Sequence, residues 1–151
     1  MTLAALHREI LVAAPPHRTF ELFTGHLGSW WPLATYSVFG DGTVAFEGSE
    51  LIERSGERSS VWAEVTGWDP PTSLRLDWHP GSDPTRATDV LVTFLPQDAG
   101  TLVTITHQGW ERHAQPAAAA EEYGQGWPGV LGEFAEFAVT GCWEPLMIRA
   151  S

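Results

Sequence analysis

Residues 101–139 read TLVTITHQGWERHAQPAAAAEEYGQGWPGVLGEFAEFAV. The first seven, Thr101 to His107, alternate, so Val103, Ile105 and His107 share one face of a half-buried strand. From Glu121 to Val139 the period lengthens. Val130, Leu131, Phe134, Phe137 and Ala138 fall at i, i+1, i+4, i+7 and i+8, which lays one broad apolar stripe along a helix. Gly109 to Pro116 connects the two, and Ala117 to Ala120 lead into the helix. Pro128 removes an i→i−4 hydrogen bond, so the helix is expected to start or to kink there. Gly141 is its expected C-terminal stop.

Reading backwards, Asp89 to Leu95 is a strand with Val90, Val92 and Phe94 on one face. Leu74, Leu76 and Trp78 alternate with Arg75, Asp77 and His79, another half-buried strand that leaves Asp77 and His79 exposed on its opposite face. Pro96 to Gly100 and Pro80 to Pro84 read as a turn and a loop, and Asp69-Pro70-Pro71 forces a further turn because proline cannot continue a central strand. Ser60 to Trp68, Ser49 to Arg54 and Thr43 to Glu47 are strands, joined at Ser55-Gly56-Glu57-Arg58 and near Gly48. Arg8 to Ala14 is the first strand. Pro15-Pro16 ends it and opens a helix carrying Phe20, Leu22 and Phe23, with Pro16 tolerated in the first turn. Gly25 and Gly28 break that helix, and Gly28 to Pro32 has room only for a short helical turn. The order is strand, helix, short helix, six strands, long helix.

The chain has 151 residues, enough for one domain over 1–151 that buries roughly 70% of its unfolded surface without disulfide or metal. Eight basic residues, all Arg, stand against nineteen acidic ones, a formal net charge of −11. That balance leaves no footprint for a phosphate backbone or an anionic membrane, so neither nucleic acid nor membrane is an expected partner. With no lysine there is no Schiff-base chemistry. The lone Cys142 excludes an internal disulfide and a cysteine metal cluster. No apolar run approaches the roughly 18 residues of a membrane span, and the start lacks the basic segment of a signal peptide. A cytoplasmic location is the expectation.

Several segments together resemble the START-like superfamily, also called SRPBCC or Bet v 1-like. The nearest branch is the one typified by the C-terminal domain of the Hsp90 ATPase activator homologs. They are Arg8 to Val12 followed by Ala14-Pro15, Phe20 to Thr24, Gly28 to Pro32, Gly67 to Pro71 through Leu74 and Trp78, Gly100 to Gly109, and Gly126-Trp127 followed by Leu131. The resemblance spans about residues 8 to 140. It implies an α+β helix-grip fold: a curved antiparallel sheet of about seven strands wrapped around a long C-terminal helix, with two short helices after the first strand. Two departures stand out: Gly48-Ser49 occupies the place of a frequent Gly-Gly pair, and Pro128 interrupts the usual start of the final helix. Members of the group bind hydrophobic small molecules, act as cyclases or dehydratases, or regulate other proteins. A homodimer is plausible for the group. Fold alone does not choose among these.

A concave sheet closed by a helix leaves a space that side chains or a ligand must fill, and ligand pockets are mostly apolar with a few placed polar groups. The expected ligand-binding set is Trp30, Trp31, Trp78, Val92, Phe94, Ile105, His107, Trp127, Leu131 and Phe134, with Val90 and Val103 beside them. Trp30 and Trp31 would close one end, whereas Trp62, Trp68, Trp110 and Trp143 are left to the other face, the strand ends and the tail. The leading reading is a binder of a small hydrophobic or aromatic molecule, with no cofactor and no metal, since the six histidines are dispersed and no His-Glu-x-x-His occurs. The enzyme alternative, a polyketide cyclase or dehydratase, rests on His107 as general base, helped by Glu111 or Tyr123, because imidazole is the natural proton carrier near neutrality. Glu111, Arg112 and His113 either face the cavity mouth or are solvated loop charges. The third reading, a chaperone-partner or regulatory module, follows from the family name.

Overall fold

In a computed structural model, residues 5–31, 42–80, 85, 87–98, 100–113 and 115–150 are described, with 139–150 as backbone only. The loop expected at Pro80 to Pro84 falls mostly outside them, as does the side chain of Trp143. The elements run β1 (Leu6–Val12), α1 (Pro16–Gly25), α2 (Leu27–Trp30), β2 (Thr43–Glu47), β3 (Glu50–Ser55), β4 (Arg58–Asp69), β5 (Ser73–Trp78), β6 (Thr88–Gln97), β7 (Gly100–Gln108), a 3₁₀ turn (Trp110–Arg112) and α3 (Pro116–Ala150). The strands form one antiparallel sheet in the order β1-β7-β6-β5-β4-β3-β2. With its long final helix and short early helices this is the helix-grip fold.

Paired residues share a face, and the register carries one apolar face across the sheet: Ile10 opposite Val103, Phe94 opposite Val103, Val92 opposite Ile105, and Leu74 opposite Val92. That face is dry, with Val90, Val92, Phe94, Val103, Ile105 and Leu74 each at most 1% exposed. Leu131, Phe134 and Ala138 of α3 are equally buried. α2 lies against β2 with almost no gap. A Cβ on Gly28 would come 2.7 Å from the Val44 carbonyl oxygen, so only glycine permits the approach that fixes Trp30 and Trp31.

Four expectations change. The alanine-rich segment belongs to α3 itself, which opens at Pro116, a residue suited to the first helical turn. The helix also continues past Gly141, since an interior glycine costs only about 1 kcal/mol relative to alanine. It neither starts at Pro128 nor leaves that site's carbonyl unpaired. Pro128 withholds the N–H that the Gly124 carbonyl would accept, and Arg8 Nε from β1 donates to that carbonyl instead, at 3.3 Å. A Cβ at residue 124 would sit 3.2 Å from the same guanidinium. Finally, β6 runs through Pro96 to Gln97; Pro96 lies beyond the end of β5, where only β7 flanks it.

Candidate functional site

A cavity of about 470 Å³ opens between the N-terminal third of α3, α2 and the adjoining ends of β4 and β5. Its size lies within the ~300–1,000 Å³ usual for small-molecule sites. Trp31, Trp62, Trp78 and Trp127 form its body with Tyr123 and Val130; Pro80, His113, Gln115 and Glu122 are also in its lining, the last two exposed to solvent. The indoles touch one another. Ring centroids are 5.3 Å apart for Trp31–Trp62, 5.9 Å for Trp31–Trp78, 6.1 Å for Trp62–Trp78 and 5.6 Å for Trp78–Trp127. Tyr123 stacks on Trp127 at 5.9 Å.

Three of the four indoles are held by a polar edge as well as by packing. Trp62 Nε1 donates to the buried Glu53 carboxylate at 3.0 Å, Trp78 Nε1 to the Tyr123 hydroxyl at 3.0 Å, and Trp127 Nε1 to His107 Nδ1 at 3.1 Å. A buried indole N–H without an acceptor is costly, so these bonds fix which edge points inward and leave faces and rims toward the open space.

Of the expected set, Trp31, Trp78 and Trp127 reach the cavity. Trp30, Val92, Phe94, Ile105, Leu131 and Phe134 do not; they are core. The space beside them is filled by α1, whose Phe23 packs on Phe94 at 5.6 Å, on Phe134 at 5.1 Å and on Trp30 at 5.0 Å. Trp62, expected elsewhere, is part of the cavity wall. Leu51 pairs with Ala63 and Ile52 with Val61, so Trp62 is the unpaired residue of a β-bulge, and the bulge re-aims it.

His107 faces inward as its alternation requires, yet lies behind the wall and is absent from the lining. Indole only donates, so Nδ1 must accept from Trp127 and Nε2 carries the proton. Nε2 then donates to Thr88 Oγ1 at 2.6 Å, and Thr88 donates to the Trp78 carbonyl at 3.3 Å. Burial, with His113 adding to it, pushes the imidazole down to about 3. Both nitrogens are engaged within the protein and the ring stays neutral, so in this arrangement neither nitrogen opens onto the cavity.

The neighbouring charges divide. His113 lines the cavity, its Nδ1 accepting the Gln115 backbone N–H at 3.0 Å, whereas Glu111 and Arg112 lie beside a separate surface hollow with Arg75 and Asp89. His79, expected exposed, is 4% exposed. Its backbone N–H bonds the Trp62 carbonyl at 2.6 Å and its Nε2 meets the Glu64 carboxylate at 2.8 Å. Among the described residues no three or more His, Cys, Asp or Glu side chains are grouped to hold a metal ion, and no helix is long and apolar enough to cross a membrane.

These features sit on a recognisable scaffold. The family model described as Activator of Hsp90 ATPase homolog 1-like protein matches residues 13–138, and the chain belongs to that family. Among solved structures, the Aha1 dimer from Colwellia psychrerythraea is similar at 16% identity and TM-score 0.65, over 89% of this chain and 95% of that one. The Bacillus halodurans protein BH1534 is similar at 22% and 0.64, over 91% and 99%. The anthrahydroquino-γ-pyrone synthase Txn09, solved in complex with SUM, is similar at 28% and 0.53, over 80% and 86%. No curated protein matches the chain.

Proposed function

We propose that the protein binds a neutral, flat aromatic or hydrophobic small molecule in the tryptophan-walled cavity. The observation that carries this reading is the wall itself: four indoles and a phenol around about 470 Å³, with no arginine among the described lining residues to counter an anionic group. Indole faces offer large apolar area with few rotatable bonds, so a flat ligand buries much surface against a wall that is already ordered. Titration with naphthalene, followed by intrinsic tryptophan emission, tests it. A saturable change is expected, weakened severalfold in Trp62→Leu. An emission that stays unchanged up to the solubility limit of naphthalene overturns the reading.

A catalytic reading is favoured by one observation, the 28% identity with the synthase Txn09 over 80% of the chain. On this reading the proton-transfer groups are those that line the cavity, His113, Glu122 and Tyr123, and not His107. Turnover of a polyketide-like aromatic substrate that survives His107→Gln and fails in His113→Gln is the expected pattern; the reverse pattern overturns the assignment. The chaperone-partner reading is carried by the family name, and no surface of the described residues argues for it. A homodimer is carried over from the Colwellia Aha1 dimer, and sedimentation equilibrium tests it.

A further inference from the structure

We propose that Tyr123 is the specificity-determining donor of the cavity and that the ligand carries a carbonyl oxygen, as a planar aryl ketone or quinone does. This deepens the binding reading above and rests on it. The Tyr123 oxygen accepts one hydrogen bond, from Trp78 Nε1 at 3.0 Å. Its own proton has no acceptor among the described residues, although the ring is packed between His107 at 4.7 Å, Trp110 at 5.9 Å and Trp127 at 5.9 Å. The open volume beside it is the cavity, which Tyr123 and Trp78 both line. A phenol that already accepts from an indole N–H is a stronger donor, because linked hydrogen bonds polarise one another. Burial holds this phenol above its ordinary range, so the proton is present at neutral pH.

The surrounding wall selects the partner. Trp31, Trp62, Trp78 and Trp127 bear no acceptor, since indole N–H only donates. The amide and carboxylate acceptors in the lining, on Gln115 and Glu122, are solvent-exposed, so a ligand phenol or amine set against the indoles finds no acceptor on them. A ketone or quinone oxygen accepts from Tyr123 and asks nothing further of the wall, while its rings lie against the indoles. An anionic carboxylate would meet no Lys or Arg among the described lining residues.

The test uses a matched pair, 9-fluorenone and fluorene, which share a planar skeleton and differ in the carbonyl, measured by equilibrium dialysis on the full chain. Wild type is expected to bind fluorenone about 3- to 10-fold more tightly than fluorene, the range of one neutral hydrogen bond. Tyr123→Phe should erase that preference and leave fluorene affinity within about 2-fold. Trp62→Leu should weaken both ligands alike, a change in affinity without a change in preference. Equal binding of the two ligands by wild type overturns the carbonyl assignment and leaves cavity binding standing. A preference that persists in Tyr123→Phe overturns Tyr123 as the donor. Binding of neither overturns the cavity reading and this one with it.

Discussion

Two aromatic clusters share the interior, and among the described residues a cavity opens at one of them. At the end under α1, Phe20, Phe23, Trp30, Phe94 and Phe134 pack with neighbouring ring centroids 4.8–5.6 Å apart and fill their space. At the end under the start of α3, Trp31, Trp62, Trp78, Trp127 and Tyr123 stand at similar spacings yet surround about 470 Å³. The difference lies in what holds the rings. Four of the five rings at the filled end are phenylalanines, which have no polar edge; only Trp30 is tied there, its Nε1 donating to the Leu22 carbonyl at 3.3 Å. Three of the four indoles at the open end, Trp62, Trp78 and Trp127, are tied by N–H bonds to Glu53, Tyr123 and His107, and a tied ring cannot slide inward to close a void without breaking its bond. Aromatic content therefore gives a core at one end and a wall at the other.

The largest expected effect tests the filled end. Phe134 is 0% exposed and touches Phe23 and Trp30, so Phe134→Ala removes a ring from a site with no slack. A loss of about 3–5 kcal/mol is expected in urea unfolding. A loss below about 1 kcal/mol would mean that this end collapses as easily as the other, and the contrast would fail.

The second test concerns the support behind the wall and is read through pH. Folded His107 resists protonation down to about 3, while in the unfolded chain it takes up a proton near its ordinary 6.5. Its contribution to stability is thus whole above 6.5 and is lost as pH falls toward 3, because acid charges only the unfolded state. The slope approaches about 1.4 kcal/mol per unit well below 6.5, which gives roughly 2 kcal/mol between 6.5 and 4.5. Unfolding of wild type and of His107→Gln at both pH values should show the acid loss shrinking by about that amount in the variant. An equal loss in both chains would mean that His107 is not held neutral. Thr88→Val follows in size. It keeps the volume but removes the acceptor of His107 Nε2–H from a dry interior, at an expected cost of about 1–3 kcal/mol.

How far the sequence reveals this contrast depends on which residues it concerns. The element order was legible throughout, because period two and period 3.6 are properties of neighbouring residues. The inward face of Val90, Val92, Phe94, Val103, Ile105 and His107 was legible for the same reason. What local periodicity misses is a phase change or a distant partner. Trp62 sits in a bulge, so its direction depends on how β3 pairs with β4. The fate of Phe94 and Phe134 turns on Phe23, which comes from an element more than sixty residues away along the chain. Pro128 is accommodated because Arg8, 120 positions earlier, reaches the Gly124 carbonyl. His107 has the right type and direction for a base, but its two nitrogens are claimed by Thr88 and Trp127, and only the assembled core brings those partners together. Glu53 carried no signal at all, being one acid among nineteen until Trp62 is placed on it.

The smallest expected effect is the sharpest probe of why one end stays open. Tyr123→Phe and Thr88→Val each delete one hydroxyl that accepts a ring N–H, from Trp78 in one case and from His107 in the other. The deleted groups are alike, and the difference lies in where each stands. Thr88 is 1% exposed, so the His107 proton it leaves behind has no replacement partner. Trp78 and Tyr123 line the cavity, so water can take the vacated place on the Trp78 N–H and recover most of the bond. Tyr123→Phe should cost under about 1 kcal/mol, clearly less than Thr88→Val, when the two are unfolded side by side in urea. Equal costs would show that the wall around Tyr123 is as dry as the core, and a dry wall has no reason to hold its rings apart.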